Sequence, residues 1–422
     1  MAEITESITH TYELGRRAGF LRKLIFMNLA KMKKGTICID DKLGTNQFGV
    51  AGTNYPKAQV TVHDPRFFGF LAFRGALGAS EAFMLGYWSS PNLKEVVRMF
   101  ALNQEAMTHF EKGLALLTKP SQWVFSYFNR NTLLGSQRNI RAHYDLSNKL
   151  FEKILDKNMM YSCAYFKENT DTLDEAAENK LERICKKLEL KSTDHLLEIG
   201  TGWGGMAIYA AQKYGCHVTT TTISKEQYDY AKAKIADLGL EKQITLLFKD
   251  YRKLKGKYDK AVSIEMVEAV GAGFLDQYMQ TCSNLLKPEG VFLMQAITIN
   301  DQAYHRALKE VDFIKKYIFP GSFIPSLQAI NTAQALATDM RMYHFEDMTA
   351  HYEKTLMAWR KNFFSNHAVL EEMGFDSKFK RMWDYYFCYC AGGFAERAIG
   401  AVQIVFGKPE YRQDLSIKSE WR

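Results

Sequence analysis

The chain has 422 residues, of which 47% are hydrophobic and 13% aromatic, which excludes a disordered chain or a small disulfide-stapled domain and leaves room for two or three domains. Lys and Arg outnumber Asp and Glu by 55 to 47, and the resulting formal charge of +8 suits nucleic acid or an anionic membrane face without choosing between them.

Cysteines at 38, 163, 185, 216, 282, 388 and 390 form no CxxC pair and no zinc-type Cys/His spacing. They read as reduced thiols of a cytoplasmic protein, and no metal site is expected. No run of about 18 uncharged apolar residues occurs, and MAEITESITH lacks a signal-peptide pattern, so membrane contact is expected to be peripheral.

Residues 16 to 34 carry seven basic residues and no acidic one, with Phe20, Leu21, Leu24, Ile25 and Leu29 recurring at helical spacing. This basic amphipathic helix suits packing on its own domain, lying on a membrane surface, or reaching along nucleic acid. TICID and QVTVH, between Gly35 and Val62, predict a small antiparallel sheet. The aromatic stretch from Asp64 to Phe100 reads as helices broken by glycines and Pro91, with Phe67, Phe68, Phe70, Phe73, Phe83, Tyr87 and Trp88 forming a core or lining an apolar groove. Residues 1–120 make one α+β unit, and 121–135 a join to the next domain.

From about residue 178 the pattern alternates. KLERICKKLEL is an amphipathic helix, HLLEIG a buried strand, MAIYAAQKYG a helix ending on Gly215, HVTTTTIS a strand and KEQYDYAKAKIADLGL a helix; QITLLFKD, YDKAVSIEM and GVFLMQAIT are further strands. Alternation with short connections predicts an α/β fold with a mostly parallel sheet covered on both faces. RMYHFED at 341–347 and AVQIVF at 401–406 complete the strands, and the long helical segments between them are expected to cover the active site as a lid.

The strongest local motif is LLEIGTGWGG, in which a strand runs into Gly200, Gly202, Gly204 and Gly205 and then a helix. Such a turn lets backbone lie against a nucleotide-like ligand in front of free helix N–H groups. The second strand ends without the acidic residue of a NAD site, whereas Glu198 before the first glycine and Asp250 at the end of QITLLFKD suit S-adenosylmethionine.

A further constellation comprises YSCAYF (Tyr161 to Phe166), TISKEQ, KDYR, KYIFP from Lys316 and YEKTLMAW from Tyr352. Together with the glycine turn and GALGASEAFMLGYW, these resemble the cyclopropane fatty acid synthases, including the mycolic acid cyclopropane synthases, over essentially the whole chain. The resemblance implies a class I methyltransferase fold, Rossmann-like with a seven-stranded mostly parallel sheet, in residues 136–422, with helical lid segments 299–338 and 348–397. It also implies a lipid-binding domain in residues 1–120.

The activity it implies is attack of a cis double bond of a phospholipid acyl chain on the methyl group of S-adenosylmethionine, followed by proton loss and cyclopropane closure. Tyr161, Ser162, Glu198, Gly200, Gly202, Thr222, Gln227, Asp250 and Tyr251 would hold the cofactor. A bound bicarbonate would take the proton, held by Cys163, Glu268, Gln295, Ile297 and Tyr352, with Tyr317 and Phe319 beside the substrate. Tyr161, Tyr165, Phe166, Tyr317, Phe319 and Trp359 are candidates for aromatic stabilisation of the cation. Implied partners are an anionic phospholipid surface on the inner face of the membrane, unsaturated acyl chains and a second copy in a homodimer, without nucleic acid.

Two departures stand out. Many bacterial relatives have His where this chain has Gln295, and E-H-V-G where it has Glu268-Ala269-Val270-Gly271. Glutamine donates and accepts but does not titrate, so a methyl-branched or methylene product is the alternative to a ring. A small-molecule methyltransferase and a non-catalytic lipid-binding module are the competing readings.

Overall fold

The computed structural model describes residues 15–104 and 148–412. Contacts divide the chain into two units, Met1–Lys119 with Ser377–Tyr385, and Pro120–Asp376 with Tyr386–Arg422. The expected join at 121–135 lies outside the described residues.

In the first unit, α1 (Arg16–Leu29) buries Leu21, Ile25 and Leu29, four residues apart on one face. It packs on its own unit, with Arg22 paired to Asp41 at 2.5 Å and Phe26 against Phe48 and Phe68. Phe20 points outward, 67% exposed. The strands β1 (Gly35–Asp41), β2 (Gly44–Val50) and β3 (Lys57–Val62) are followed by α2 (Arg66–Met84), β4 (Trp88–Ser89) and α3 (Leu93–Leu102).

The sheet order is β2-β1-β3-β4, and β1 pairs β3 in parallel, so the sheet is mixed and not purely antiparallel. The physical reason is a division of labour among the strands. β2 pairs antiparallel with β1 and stays largely exposed at the edge, serving as the return that brings β3 alongside β1 in the same direction. Ile37, Ile39, Val60 and Val62 are thereby buried together. α2 bends at Gly75 (φ 54°), a conformation glycine tolerates. Phe67, Phe68, Phe83 and Trp88 are buried core residues.

The second unit runs through α4 (Asn148–Ile154), α5 (Leu173–Lys187), β5 (His195–Ile199), α6 (Gly205–Tyr214), β6 (His217–Thr222), α7 (Lys225–Asp237), β7 (Ile244–Phe248), β8 (Tyr258–Ile264), α8 (Leu275–Asn284) and β9 (Leu286–Ile299). Then come α9 (Asp301–Lys309), a π-turn at Ile314–Ile318, α10 (Leu327–Ala337), β10 (Arg341–Asp347), α11 (Thr349–Ser365), α12 (His367–Glu372), α13 (Ser377–Ala395), of which Ser377–Tyr385 belongs to the first unit, and β11 (Ile399–Gly407).

Its seven-stranded sheet has the order β10-β11-β9-β8-β5-β6-β7, and only β11 runs opposite to the other strands, pairing antiparallel with both β9 and β10. This is the α/β architecture with a mostly parallel sheet expected from the alternating pattern, and its seven strands are those of the class I methyltransferase fold that the resemblance implies. The chain order reverses between β5 and β8, so the carboxyl ends of these strands frame the crevice in which open α/β sheets bind ligands.

α5 starts on a capping box, with Thr172 accepting from the Glu175 N–H and Glu175 accepting from the Thr172 N–H. It also buries two lysines, Lys180 and Lys187, at 0% and 1% exposure. Among the described residues no helix is long and apolar enough to cross a membrane.

Candidate active site

Gly200, Gly202 and Gly204, with φ of 101°, 53° and 93°, turn the chain from β5 into α6. No protein atom lies within 4 Å of a Cβ placed on Gly202, and Gly202 lines the cleft at the carboxyl ends of β5, β6, β7 and β8. Tyr161, Ser162, Glu198, Gly200, Thr222, Gln227, Asp250 and Tyr251 line the same cleft.

Glu198 is buried and accepts from Thr220 Oγ1 at 2.6 Å. Burial pushes its carboxyl up to about 8 against that hydrogen bond and the charge of Lys180. Thr222 donates to Gln227 Oε1 at 2.9 Å, and Ser224 caps α7. Asp250 is clamped by Arg252 at 2.6 Å. Burial favours its protonation, but the hydrogen bonds and charge of Arg252 prevail and hold it below the usual carboxylate range.

A second carboxylate enters this cleft, one the sequence patterns did not single out. Glu265 follows β8, lines the cleft and sits at φ 49°. Its Oε1 accepts from the Cys163 N–H and from Gln295 Nε2, both at 2.8 Å, and its Oε2 accepts from the Tyr352 hydroxyl. Burial pushes its pKa up, while Tyr352, Cys163, Gln295 and the charge of Lys180 hold it back. Three of the five groups expected to surround a bound anion, Cys163, Gln295 and Tyr352, therefore converge on Glu265.

Glu268 lies apart from that donor set. Its Oε1 accepts from the Ile297 N–H at 2.5 Å, and its Oε2 is buried with no hydrogen-bond partner. Burial, reinforced by the charge of Glu265, raises its pKa to about 8. The two neighbouring carboxyls thus differ in their surroundings: Glu265 accepts from three donors, which favour its charged form, whereas Glu268 accepts from one. The Cys163 thiol contacts the Ala164 carbonyl at 3.3 Å, and burial raises its pKa well above the ordinary thiol value. Its contribution at Glu265 is the backbone N–H.

The amide of Gln295 has a fixed orientation. Lys187 donates to Gln403 Oε1 at 2.5 Å and also to Glu346, which Arg183 pairs as well. Gln403 Nε2 then donates to Gln295 Oε1 at 2.9 Å. An ammonium only donates, so the direction runs without ambiguity from Lys187 through both glutamines to Glu265.

Aromatic rings close the neighbouring space. Tyr161, from the cleft, lies 5.1 Å from Trp359 and 6.2 Å from Phe319 between ring centroids, and its hydroxyl donates to Tyr386 at 3.0 Å. Tyr352 stacks on Phe394 at 4.3 Å. Tyr317 packs on Phe313 instead, at 5.7 Å, and Tyr165 lies 4.3 Å from His351 with Arg183 over its face. Phe166 is buried with Ala164 and Ala176.

Residues 133–404 match the family model for mycolic acid cyclopropane synthetase. The chain belongs to the mycolic acid cyclopropane synthetase family. It is 35% identical over 364 residues to the cyclopropane-fatty-acyl-phospholipid synthase of Escherichia coli (strain K12), covering 85% of this chain and 90% of that one. It is also 35% identical over 337 residues to the tuberculostearic acid methyltransferase UfaA1 of Mycobacterium tuberculosis, covering 76% of each. The cyclopropane synthase MmaA2 of M. tuberculosis superimposes with a TM-score of 0.59 at 25% identity, over 64% of this chain and 98% of that one. The mycolic acid cyclopropane synthase CmaA1, solved with SAH and CTAB, gives 0.60 at 29% identity over the same shares.

As a member of this family the chain is an S-adenosylmethionine-dependent methyltransferase. Its cleft fits that cofactor: an open glycine turn and polar side chains at successive strand ends meet in one place. Bicarbonate does not fit equally well. The Cys163, Gln295 and Tyr352 donors are taken by Glu265 and the Ile297 N–H by Glu268, and a further anion would add charge beside a buried carboxylate.

Sequence reasoning missed Glu265, Lys187 and Gln403. Only the spacing of two acids in SIEMVE, which puts both just beyond one strand, carried a hint of the first.

Proposed function

We propose that this enzyme transfers a one-carbon unit to the cis double bond of an unsaturated phospholipid acyl chain and closes a cyclopropane ring. The observation that carries the reading is Tyr161, which lines the cofactor cleft and also packs against Trp359 and Phe319 in an aromatic enclosure.

S-adenosylmethionine, when bound, supplies an electrophilic methyl group on a sulfonium. The turn from Gly200 to Gly204, with Glu198, Thr222, Gln227 and Asp250, would hold it. An alkene is a weak nucleophile, so the protein must align it and keep water from the resulting cation. The faces of Tyr161, Trp359 and Phe319 serve both needs, since they exclude water and present π density to positive charge. α11 supplies the Trp359 side of this wall and the residue after the π-turn, Phe319, the other side, which is the role of a lid.

Delivery of the acyl chain fits a peripheral position on the inner face of the membrane. Arg16, Arg17, Lys23, Lys31, Lys33 and Lys34 are exposed on and just after α1, together with Phe20 and Met27. Basic charge beside outward apolar side chains suits an anionic lipid surface.

A second reading, transfer that leaves a methyl branch, is supported by the similarity to the tuberculostearic acid methyltransferase, equal in identity to that with the cyclopropane-forming relative. The experiment for the substrate class is incubation of the full chain with methyl-labelled S-adenosylmethionine and phosphatidylglycerol vesicles. Label should enter the acyl chains of unsaturated vesicles and not of saturated ones. Equal labelling of both, or labelling of neither, refutes the reading.

A further inference from the structure

Glu265 occupies a backbone conformation that L-residues with a Cβ seldom adopt. At φ 49° a residue other than glycine holds this left-handed conformation only against a steric cost. The position is nevertheless fixed from two directions. The Glu265 N–H donates to the Gln295 carbonyl at 2.8 Å, and its carboxylate takes donors from Cys163, Gln295 and Tyr352. The hydrogen-bond chain from buried Lys187 through Gln403 leaves Gln295 only its NH2 group to offer. Three donors from three separate parts of the chain are thus preset for an anion that the protein itself provides, at the wall of the methyl-donor cleft.

We infer that the Glu265 carboxylate is a built-in proton acceptor that replaces an exogenous bicarbonate in this enzyme. The inference rests on the alkene alkylation proposed above. Once the new C–C bond has formed and the sulfonium has left as a thioether, the acyl chain carries a cationic carbon. A C–H bond of the added carbon breaks, its proton passes to a carboxylate oxygen of Glu265, and its electron pair forms the second C–C bond of the ring. Glu265 ends neutral and returns the proton to water when the product leaves. Tyr352, Gln295 and the Cys163 N–H act as positioning groups, holding the carboxylate toward the cleft.

The test uses the full chain as wild type, E265Q and E265G, in buffer stripped of carbon dioxide and with bicarbonate added back. S-adenosylmethionine affinity, measured by calorimetry, reports folding of the site; E265G also relieves the left-handed backbone, so it is expected to fold. Wild-type turnover should be unchanged by bicarbonate, and 13C-bicarbonate NMR should show no binding to it. E265Q should lose at least about 100-fold in turnover, the scale of a positioned base, without rescue. E265G should bind 13C-bicarbonate and regain at least about tenfold in turnover when it is added.

A wild-type enzyme that slows on carbon dioxide removal, or that binds 13C-bicarbonate, overturns the inference, as does an E265Q variant of wild-type rate. The binding contrast is independent of lipid chemistry. If the wild type modifies no acyl chain, the proposed function fails, while the NMR comparison still decides whether Glu265 fills the anion site.

Discussion

Gln403 points its NH2 group at Gln295 Oε1 across 2.9 Å, and this contact determines which end of the Gln295 amide faces Glu265. A leucine at 403 removes the lock and lets the Gln295 carbonyl turn toward a carboxylate that needs a donor. We expect Q403L to lose about 10- to 100-fold in turnover, as for other partners behind a site's contacting groups, with cofactor affinity within about twofold. Steady-state rates and calorimetry check this; unchanged turnover would show that the amide needs no external lock.

The anchor of the same chain, Lys187, is 1% exposed and joins Glu346 and Gln403. Burial lowers its pKa to about 8 while Glu346 supports the charge. Removing one partner of a buried charged pair leaves the other uncompensated, at roughly 3–5 kcal/mol. K187M is therefore expected to unfold at a markedly lower denaturant concentration than wild type, and a midpoint within error of wild type would contradict the assignment.

Glu268 gives a pH signature. Its folded pKa, about 8 against 4.5 for a free glutamate, means that the folded state holds a proton the unfolded chain releases. Its stabilising contribution is complete below pH 4.5 and is lost as pH rises through about 8. The full shift corresponds to an upper bound of about 5 kcal/mol. Denaturant melts of the cofactor-free chain should show wild type losing more stability than E268Q between pH 5 and pH 9. Parallel curves would place Glu268 in an ordinary polar setting.

Two glycines of one motif should fail differently. Gly202 faces no protein atom within 4 Å, whereas a Cβ on Gly205 would lie 2.3 Å from the Asn158 carbonyl oxygen. G202V should abolish measurable S-adenosylmethionine binding and cost about 1–2 kcal/mol through its positive φ. G205V should destabilise the fold itself, and calorimetry with thermal melts separates the two outcomes.

The membrane proposal turns on α1 and the lysines after it. Reversing Arg16, Lys23 and Lys34 to Glu should weaken binding to anionic vesicles by on the order of 100-fold, at about 1 kcal/mol per basic residue, with no effect on neutral vesicles. Vesicle sedimentation measures it, and unaltered anionic binding would leave α1 a packing helix alone.

The sheet and the cofactor cleft were legible in sequence because their signals are local. A strand, a glycine turn and a helix lie within LLEIGTGWGGMAIYA, and β-branched residues mark β6. The direction of β3 was not legible, since alternation gives a strand's faces and not its neighbour's polarity. Lys180 and Lys187 resemble the solvent side of a helix in sequence; their burial depends on Ser162, Glu346 and Gln403, distant in the chain. Glu265 was hidden for a related reason, because its meaning comes from Cys163, Gln295 and Tyr352 meeting around it.

The most direct measurement is the isotope count in the product formed from S-adenosylmethionine bearing a trideuterated methyl group, with unsaturated phospholipid vesicles as acceptor. Ring closure by loss of a proton from the added carbon leaves two deuterons in the acyl chain, and NMR of the product should show a cyclopropane. A product that keeps all three deuterons, or an acyl chain without deuterium, contradicts the account.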